Sequence, residues 1–283
     1  MPIRFAILAS GSKGNATVIQ SQSTTILIDA GIGINELERR LATLDLNLAR
    51  VNALFITHLH SDHLCGPVVR ACAGAGIPLY HHRLVGRVIR SKFPAFSSIA
   101  EQGLAVTFES EPFTIGDVVM EPVSVPHDAH GVTVALVARW PADAERKRIV
   151  VATDFGEATP PIIRRFSDAD ALILEFNHDT EMLRNSGRSE FLKNRVNGTA
   201  GHLSNRQAAR ALSAIISAGN RAPAIVVPAH LSKECNTPYL ALQAAQKVLQ
   251  KHKLKDTHLH IASQDEPSGW FDLAALQSQE TLF

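Results

Sequence analysis

Apolar residues along this chain fall into short runs, and the runs alternate between a strand period and a helix period. Residues 3–9, 16–20 and 24–29 read as strands, with the Gly-rich turn Ser10-Gly11-Ser12-Lys13-Gly14-Asn15 after the first. Ile34, Leu37, Leu41 and Leu44 recur at helical spacing, with Glu36, Glu38, Arg39 and Arg40 between them, which predicts a helix over 34–44. Residues 51–57 read as a buried strand, followed by a helix from about 64 to 73. His81 and His82 are expected to begin a further helix. In the middle, 104–108, 113–115, 118–125 and 132–140 are short β-branched runs broken by Gly116-Asp117 and Pro126. Strands at 149–153, 171–175, 224–228 and 258–261 then alternate with helices at 160–166, 205–218 and 239–252. This order suits an α/β protein with two mixed sheets and helices outside better than a single parallel sheet. No repeat, low-complexity linker or clear boundary interrupts it, so residues 1–283 read as one domain. Residues 182–198 carry no clear period and suggest a protruding arm at about 180–200.

Composition narrows the function classes. Hydrophobic residues make up 45% of the chain, enough for a sizeable core and too many for a disordered chain. The formal net charge is +1, so any nucleic-acid surface must be local. The cysteines are Cys65, Cys72 and Cys235; an odd number without C-x-x-C spacing points to a reducing compartment and no disulfide framework. The amino terminus lacks a signal-peptide core and no apolar run reaches membrane-spanning length, which points to a soluble cytoplasmic protein.

The chemistry concentrates in His58-Leu59-His60-Ser61-Asp62-His63, three imidazoles and a carboxylate directly after the apolar run 51–57. Imidazole and carboxylate suit first-row divalent metals. A loop at a strand end is held rigid while its tip stays open. Four more candidates follow other strands: Asp29, His127, Asp154 and His230. Any one of them alone reads as a turn or capping residue. Their recurrence at strand ends lets them converge on one edge of the sheets.

The order of these motifs resembles the metallo-β-lactamase fold superfamily over nearly the whole chain. That resemblance implies a four-layer αββα fold and two divalent ions, Zn²⁺ or Mn²⁺ with Fe²⁺ as a further choice. It implies one ion on His58, His60 and His127 and a second on Asp62, His63 and His230. Asp154 would bridge them, and Asp29 would support the loop by hydrogen bonding. The commonest dinuclear β-lactamases carry a cysteine where this chain has Asp154. A bridging carboxylate favours a pair of hard ions and phosphodiesters over lactams.

Further motifs sharpen the likeness. Glu175-Phe176-Asn177-His178-Asp179, Gly201-His202-Leu203-Ser204-Asn205 and Ala229-His230-Leu231-Ser232-Lys233-Glu234-Cys235-Asn236 resemble the YycJ (WalJ) type of the superfamily. Members of that type are described as metal-dependent 5′-to-3′ exodeoxyribonucleases, which implies a DNA substrate with a free end. The layout also parallels ribonuclease Z, with Glu175 paired to His202 and His202 serving the departing oxygen. By this reading a hydroxide held between two cations attacks phosphorus, and Asp62 orients or deprotonates the water. His202 also precedes a helix amino terminus, a natural anion site. His178 is a candidate to support the ligands from behind. The alternatives are a small-molecule phosphodiesterase, a tRNA-processing endonuclease and a non-catalytic metal-bound regulatory module. Arg184, Arg188, Lys193, Arg195, Arg206, Arg210 and Arg221 outnumber Glu181 and Glu190 between 181 and 221, a local basic surface. Lys247, Lys251, Lys253 and Lys255 at a helix end read as structural. His130 is left between a supporting and a plain polar role. His258 and His260 read as strand residues without metal, and Cys65 as a small packing residue of the following helix.

Overall fold

Strands that are apolar at every position need cover on both faces, and the chain supplies it with a second sheet on one side and helices on the other. The computed structural model describes residues 3–141 and 146–278. The first sheet contains β1 (Arg4–Ala9), β2 (Ala16–Gln20), β3 (Thr25–Ile28), β4 (Ala53–Phe55), β5 (Leu79–His82) and β6 (Ala105–Phe108). The second contains β7 (Phe113–Ile115), β8 (Val118–Val125), β9 (Thr133–Arg139), β10 (Arg148–Ala152), β11 (Ala171–Glu175), β12 (Ile225–Ala229) and β13 (His258–Leu259). A last strand, β14 (Phe271–Asp272), returns antiparallel to β1, so the orders are β14–β1–β2–β3–β4–β5–β6 and β13–β12–β11–β10–β9–β8–β7. In each sheet one half is antiparallel, while β3 to β6 and β10 to β13 run parallel. Both sheets are therefore mixed, and the αββα sandwich expected from the sequence is present.

The period of two divides the core. Phe5 and Ile7 of β1 point into the layer between the sheets, while Ala6 and Leu8 point outward. In β11, Ala171 and Ile173 face inward and Leu172 and Leu174 outward. Each such buried large side chain stabilises the fold by about 1.5–3 kcal/mol relative to exposure. Helices α1 (Ile34–Ala42), α2 (Gly66–Ala75), α3 (Gly86–Lys92) and α4 (Phe96–Glu101) cover the first sheet with Leu37, Val69, Ile89 and Phe96. Along the rest of the chain follow α5 (Pro160–Phe166), α6 (Thr180–Asn185), α7 (Glu190–Asn197), α8 (Asn205–Ala218), α9 (Pro238–Lys251) and α10 (Leu273–Ser278). Of these, α5, α8 and α9 cover the second sheet through Phe166, Leu212 and Leu249.

Four local expectations change. His81 and His82 close strand β5 instead of opening a helix, because β4 and β6 flank that strand and complete its parallel ladders. His81 is buried with its ring edge-on to Phe96. The run 51–57 yields only β4, since a 3-10 turn at Leu48–Arg50 precedes it and the ligand loop starts early. The aperiodic stretch 182–198 is helical. Its helices span six and eight residues, too short to print a period, and the readable signals are their caps, Asp179 and Ser189. Leu183 and Val196 of these helices pack with Cys235 in a small core of their own. Cys65 caps α2 rather than lying within it, and its thiol donates to the Ile32 carbonyl.

Candidate metal centre

The site assembles at strand ends. Asp29 follows β3, the loop 58–63 follows β4, His127 follows β8, Asp154 follows β10, Glu175 ends β11 and His230 follows β12. Asp29, Asp154 and His230 adopt left-handed backbone with φ of 57°, 60° and 54°. A non-glycine residue pays for that conformation with about 1–3 kcal/mol of strain, and such strain gathers where a side chain must be aimed. Glycine serves where backbones meet: a Cβ on Gly31 would lie 1.8 Å from the Asp62 carbonyl oxygen, and one on Gly201 2.2 Å from that of Arg195.

The donor atoms form two adjoining sets. His58, His60 and His127 bring one imidazole nitrogen each within 4.8 Å of one another, as do the ligand atoms of Asp62, His63, Asp154 and His230. Asp154 lies between the sets, with one oxygen 3.0 Å from His63 Nε2 and the other 3.8 Å from His127 Nε2. A third grouping joins Asp154 and His230 to Glu175 and His202. All seven residues anticipated as ligands thus meet at one place, together with Glu175 and His202.

His63, His127, His230 and His202 are each anchored on the outer nitrogen. His63 Nδ1 lies 2.7 Å from Asp29 Oδ2, which also accepts from the Thr57 hydroxyl at 2.7 Å. His127 Nδ1 donates to the Gly201 carbonyl at 3.1 Å. His230 Nδ1 and His202 Nδ1 lie 2.8 and 2.9 Å from the same Glu175 oxygen. Anchoring Nδ1 fixes the tautomer and turns Nε2 toward the centre. The result is unsatisfied: Asp154 Oδ2 and His230 Nε2 are buried without a hydrogen-bond partner. Three more nitrogens, His58 Nε2, His60 Nδ1 and His127 Nε2, converge at 3.1 and 3.2 Å. Buried polar atoms rarely go unpaired, and cations would satisfy these together. The donor set of imidazoles and carboxylates fits two divalent ions.

Electrostatics agree with the geometry. Burial drives the His58 imidazole well below its ordinary pKa and His60 below it, leaving both neutral and able to coordinate. Burial opposes charge on His63 too, but the carboxylates of Asp154 and Asp29 push it well above the usual value. His230 rises to about 10, with burial again outweighed by Asp154, Asp62 and Glu175. Without a cation between them, the carboxylates draw protons onto these two rings. Glu175 is held down to about 2 against the cost of burial, by His202 and His230.

Several contributors lie in segments that the sequence singles out without assigning them a role at the site. The Ser10 hydroxyl accepts from the His230 backbone N–H at 2.8 Å, and Asn15 Nδ2 lies 3.0 Å from His63 Nε2. The Gly-rich turn is therefore a hairpin between β1 and β2 that also staples the two sheets at the site. Asn177 donates to the His230 carbonyl at 2.9 Å. His178 is fully buried, and its Nε2 lies 3.3 Å from Asn197 Oδ1, on the arm rather than on a ligand. His130 is not among the grouped ligand residues.

Comparison with known proteins places this arrangement. The family model of the beta-lactamase superfamily domain matches residues 24–231. The Exodeoxyribonuclease WalJ of Streptococcus pneumoniae is 33% identical over 248 residues, covering 84% of this chain and 85% of that protein. The chain belongs to the YycJ/WalJ family of this superfamily. The Exodeoxyribonuclease YycJ of Bacillus anthracis is 28% identical over 89% of this chain and 90% of its own length. Among solved structures, the metallo-β-lactamase fold protein YhfI of Bacillus subtilis superposes with a TM-score of 0.68 at 15% identity, covering 96% of this chain and all of that one. Zn²⁺-bound PqqB of Methylobacterium extorquens gives 0.61 at 15% identity, covering 93% and 99%. These two likenesses are of fold. What groups the strand-end residues as a set is their mutual distance. No helix among the described residues is long and apolar enough to cross a membrane.

Proposed function

We propose that this protein is a metal-dependent nuclease, a 5′-to-3′ exodeoxyribonuclease that hydrolyses DNA phosphodiesters from a free end. The observation that carries the reading is Asp154, a buried carboxylate set between two groups of imidazoles, with one oxygen 3.0 Å from His63 Nε2 and the other 3.8 Å from His127 Nε2. The names of the family members add the substrate class.

In this reading His58, His60 and His127 would hold one ion and Asp62, His63 and His230 the other, with Asp154 shared between the two sets. Two such ions would lower the pKa of a shared water and screen the charge of the phosphodiester. The chain supplies the rest. Asp62 is the most exposed carboxylate of the ligand set and lines the open cleft, so its free oxygen can orient the attacking water and take its proton. His202 lines the same cleft with Nδ1 tied to Glu175, which leaves Nε2 to give a proton to the oxygen leaving phosphorus. Burial alone would lower the His202 pKa; the Glu175 carboxylate outweighs it and raises it, so the proton is there to give. Asp29 fixes His63 and Glu175 fixes His202 and His230. Phe191, 80% exposed next to cleft-lining Leu192, offers a face on which a base can stack.

The test couples metal analysis of the purified protein to digestion of oligonucleotides labelled at either end. Expected are about two divalent ions per chain and mononucleotides released from the 5′ end, with Asp62→Ala inactive yet folded. Undiminished cleavage by Asp62→Ala would overturn the mechanism. Turnover of tRNA precursors or nucleotides with none of DNA would overturn the substrate class.

A further inference from the structure

The basic residues of the arm do not present free charge. Arg188 pairs with Glu234 at 3.0 Å, Lys193 with Glu190 at 3.0 Å, and Arg195 with Asp128. Free cations stand elsewhere. A groove between α8 and α9 carries Arg206 and Arg210 on one wall and Lys247 and Lys251 on the other. All four are exposed, and among the described residues none of them lies in an ion pair or side-chain hydrogen bond. Each pair is spaced i, i+4, about 6 Å along its helix axis. The groove's one acid, Asp179, is occupied in capping α6. On a chain of net charge +1, four unpaired cations facing one another form a local field that a polyanion would neutralise.

The position says which polyanion. Both helices start at the edge of the second sheet that carries the metal centre: α8 begins three residues after His202, and α9 eight residues after His230. The groove's lining runs from Asp179 and Asn205 at the start of α8 to Ser217 and Lys251 near the ends of α8 and α9, along the outer helical layer. The positive ends of both helix dipoles lie at its upper end. We infer that the α8–α9 groove, through Arg206, Arg210, Lys247 and Lys251, binds the phosphate backbone of the nucleic acid beyond the segment being cleaved. This rests on the nuclease reading of the metal centre. It assigns the lysines of α9 a contact that the sequence pattern alone ascribes to the helix end.

The experiment compares the wild-type holoenzyme with a quadruple variant, Arg206→Ala, Arg210→Ala, Lys247→Ala and Lys251→Ala, and with the charge-keeping pair Arg206→Lys and Arg210→Lys. Binding of a fluorescein-labelled single-stranded 30-mer with phosphorothioate ends is read between 50 and 200 mM KCl. Turnover is read with the unmodified 30-mer and with bis(p-nitrophenyl) phosphate. The quadruple variant is expected to flatten the slope of log affinity against log salt by about 2 to 3, since each phosphate contact on a single strand contributes about 0.7. Its kcat/KM on the 30-mer should fall about tenfold or more, while turnover of the small diester stays unchanged. The lysine pair should keep the wild-type slope. An unchanged slope and kcat/KM in the quadruple variant overturns the inference. So does polyglutamate binding that the variant loses while DNA binding persists, which would give the groove to an acidic protein partner. Wild-type protein that binds the 30-mer but never cleaves it would sink the nuclease reading, and the salt slope would still judge the groove.

Discussion

Two buried carboxylates brace the candidate metal centre, one from each sheet, and they do it differently. Asp29, from the first sheet, accepts from the Thr57 N–H, the Thr57 hydroxyl and His63 Nδ1, all within or beside one loop. Glu175, from the second, accepts from the backbone N–H groups of Asp154, Phe155 and Leu203 and lies within 2.9 Å of His202 and His230 nitrogens. Asp29 steadies a loop that already bunches four donors in six residues. Glu175 has no such loop to steady; it ties together three segments that are distant in sequence and deliver one residue each. A contiguous motif therefore needs only a local brace, while a dispersed one needs a buried hub.

The largest expected effect breaks the hub. Glu175→Gln keeps the volume but replaces one acceptor oxygen with an amide that meets donors already pointing at it. His202 loses the carboxylate that holds its proton. Turnover of DNA should fall by about 10²- to 10⁴-fold, the usual worth of a placed general acid, and added metal should not restore it. Steady-state rates across a metal titration decide this; rescue by excess metal would mean that Glu175 acts only on ion affinity.

Asp29→Asn should be milder and of another kind. Removing a carboxylate behind a ligand histidine lowers metal affinity by about 10- to 100-fold. Here excess metal should recover most of the rate, because Asp29 touches only His63 among the ligands. The contrast between a rescued Asp29→Asn and an unrescued Glu175→Gln is the sharpest check on the difference between the two braces.

Proton linkage gives a third check. In the metal-stripped protein His230 is raised from 6.5 to about 10, so its contribution to stability is complete below pH 6.5 and is lost as pH rises toward 10. Glu175 is lowered from 4.5 to about 2, so its contribution is complete above pH 4.5 and is lost as pH falls toward 2. The thermal midpoint of stripped protein should therefore be highest between about pH 4.5 and 6.5. Metal-loaded protein should lack the alkaline decline, because a cation replaces the proton on His230. Parallel alkaline falls with and without metal would show that His230 is not a ligand.

The same contrast explains what could be read from the sequence. The cluster 58–63 stands out because its residues are adjacent, and Asp29, His127, Asp154 and His230 stand out because each ends an apolar run. The sandwich was legible for a related reason: β1 and β11 are apolar at nearly every position, which demands cover on both faces. Other features left no such trace. Asn15 reaches His63 across 48 positions and Ser10 reaches His230 across 220, through ordinary polar residues in turns. The second partner of Glu175, His230, is a consequence of β11 and β12 lying side by side in parallel register. The arm's helices were too short for a period, and its cations, which outnumber nearby acids in sequence, are met in space by Asp128 and Glu234 from outside the segment.

The smallest effect comes from dissecting Asp29 further. Thr57→Val removes one hydroxyl donor from Asp29 and leaves the Thr57 N–H and His63 bonds in place. A hydrogen bond to a charged group contributes about 1.5–3 kcal/mol, but the methyl that replaces the hydroxyl keeps the site packed, so the loss should fall at the low end. Metal affinity should drop less than in Asp29→Asn, and an isothermal titration of both variants orders them. No equivalent experiment exists for Glu175, whose hub is built largely from backbone N–H groups that substitution cannot remove. If Thr57→Val matched or exceeded Asp29→Asn, the hydroxyl would be acting on more than Asp29. His58 Nδ1, 3.1 Å away, would then be its second dependent, and the first-sheet brace would be a branching hub like the second.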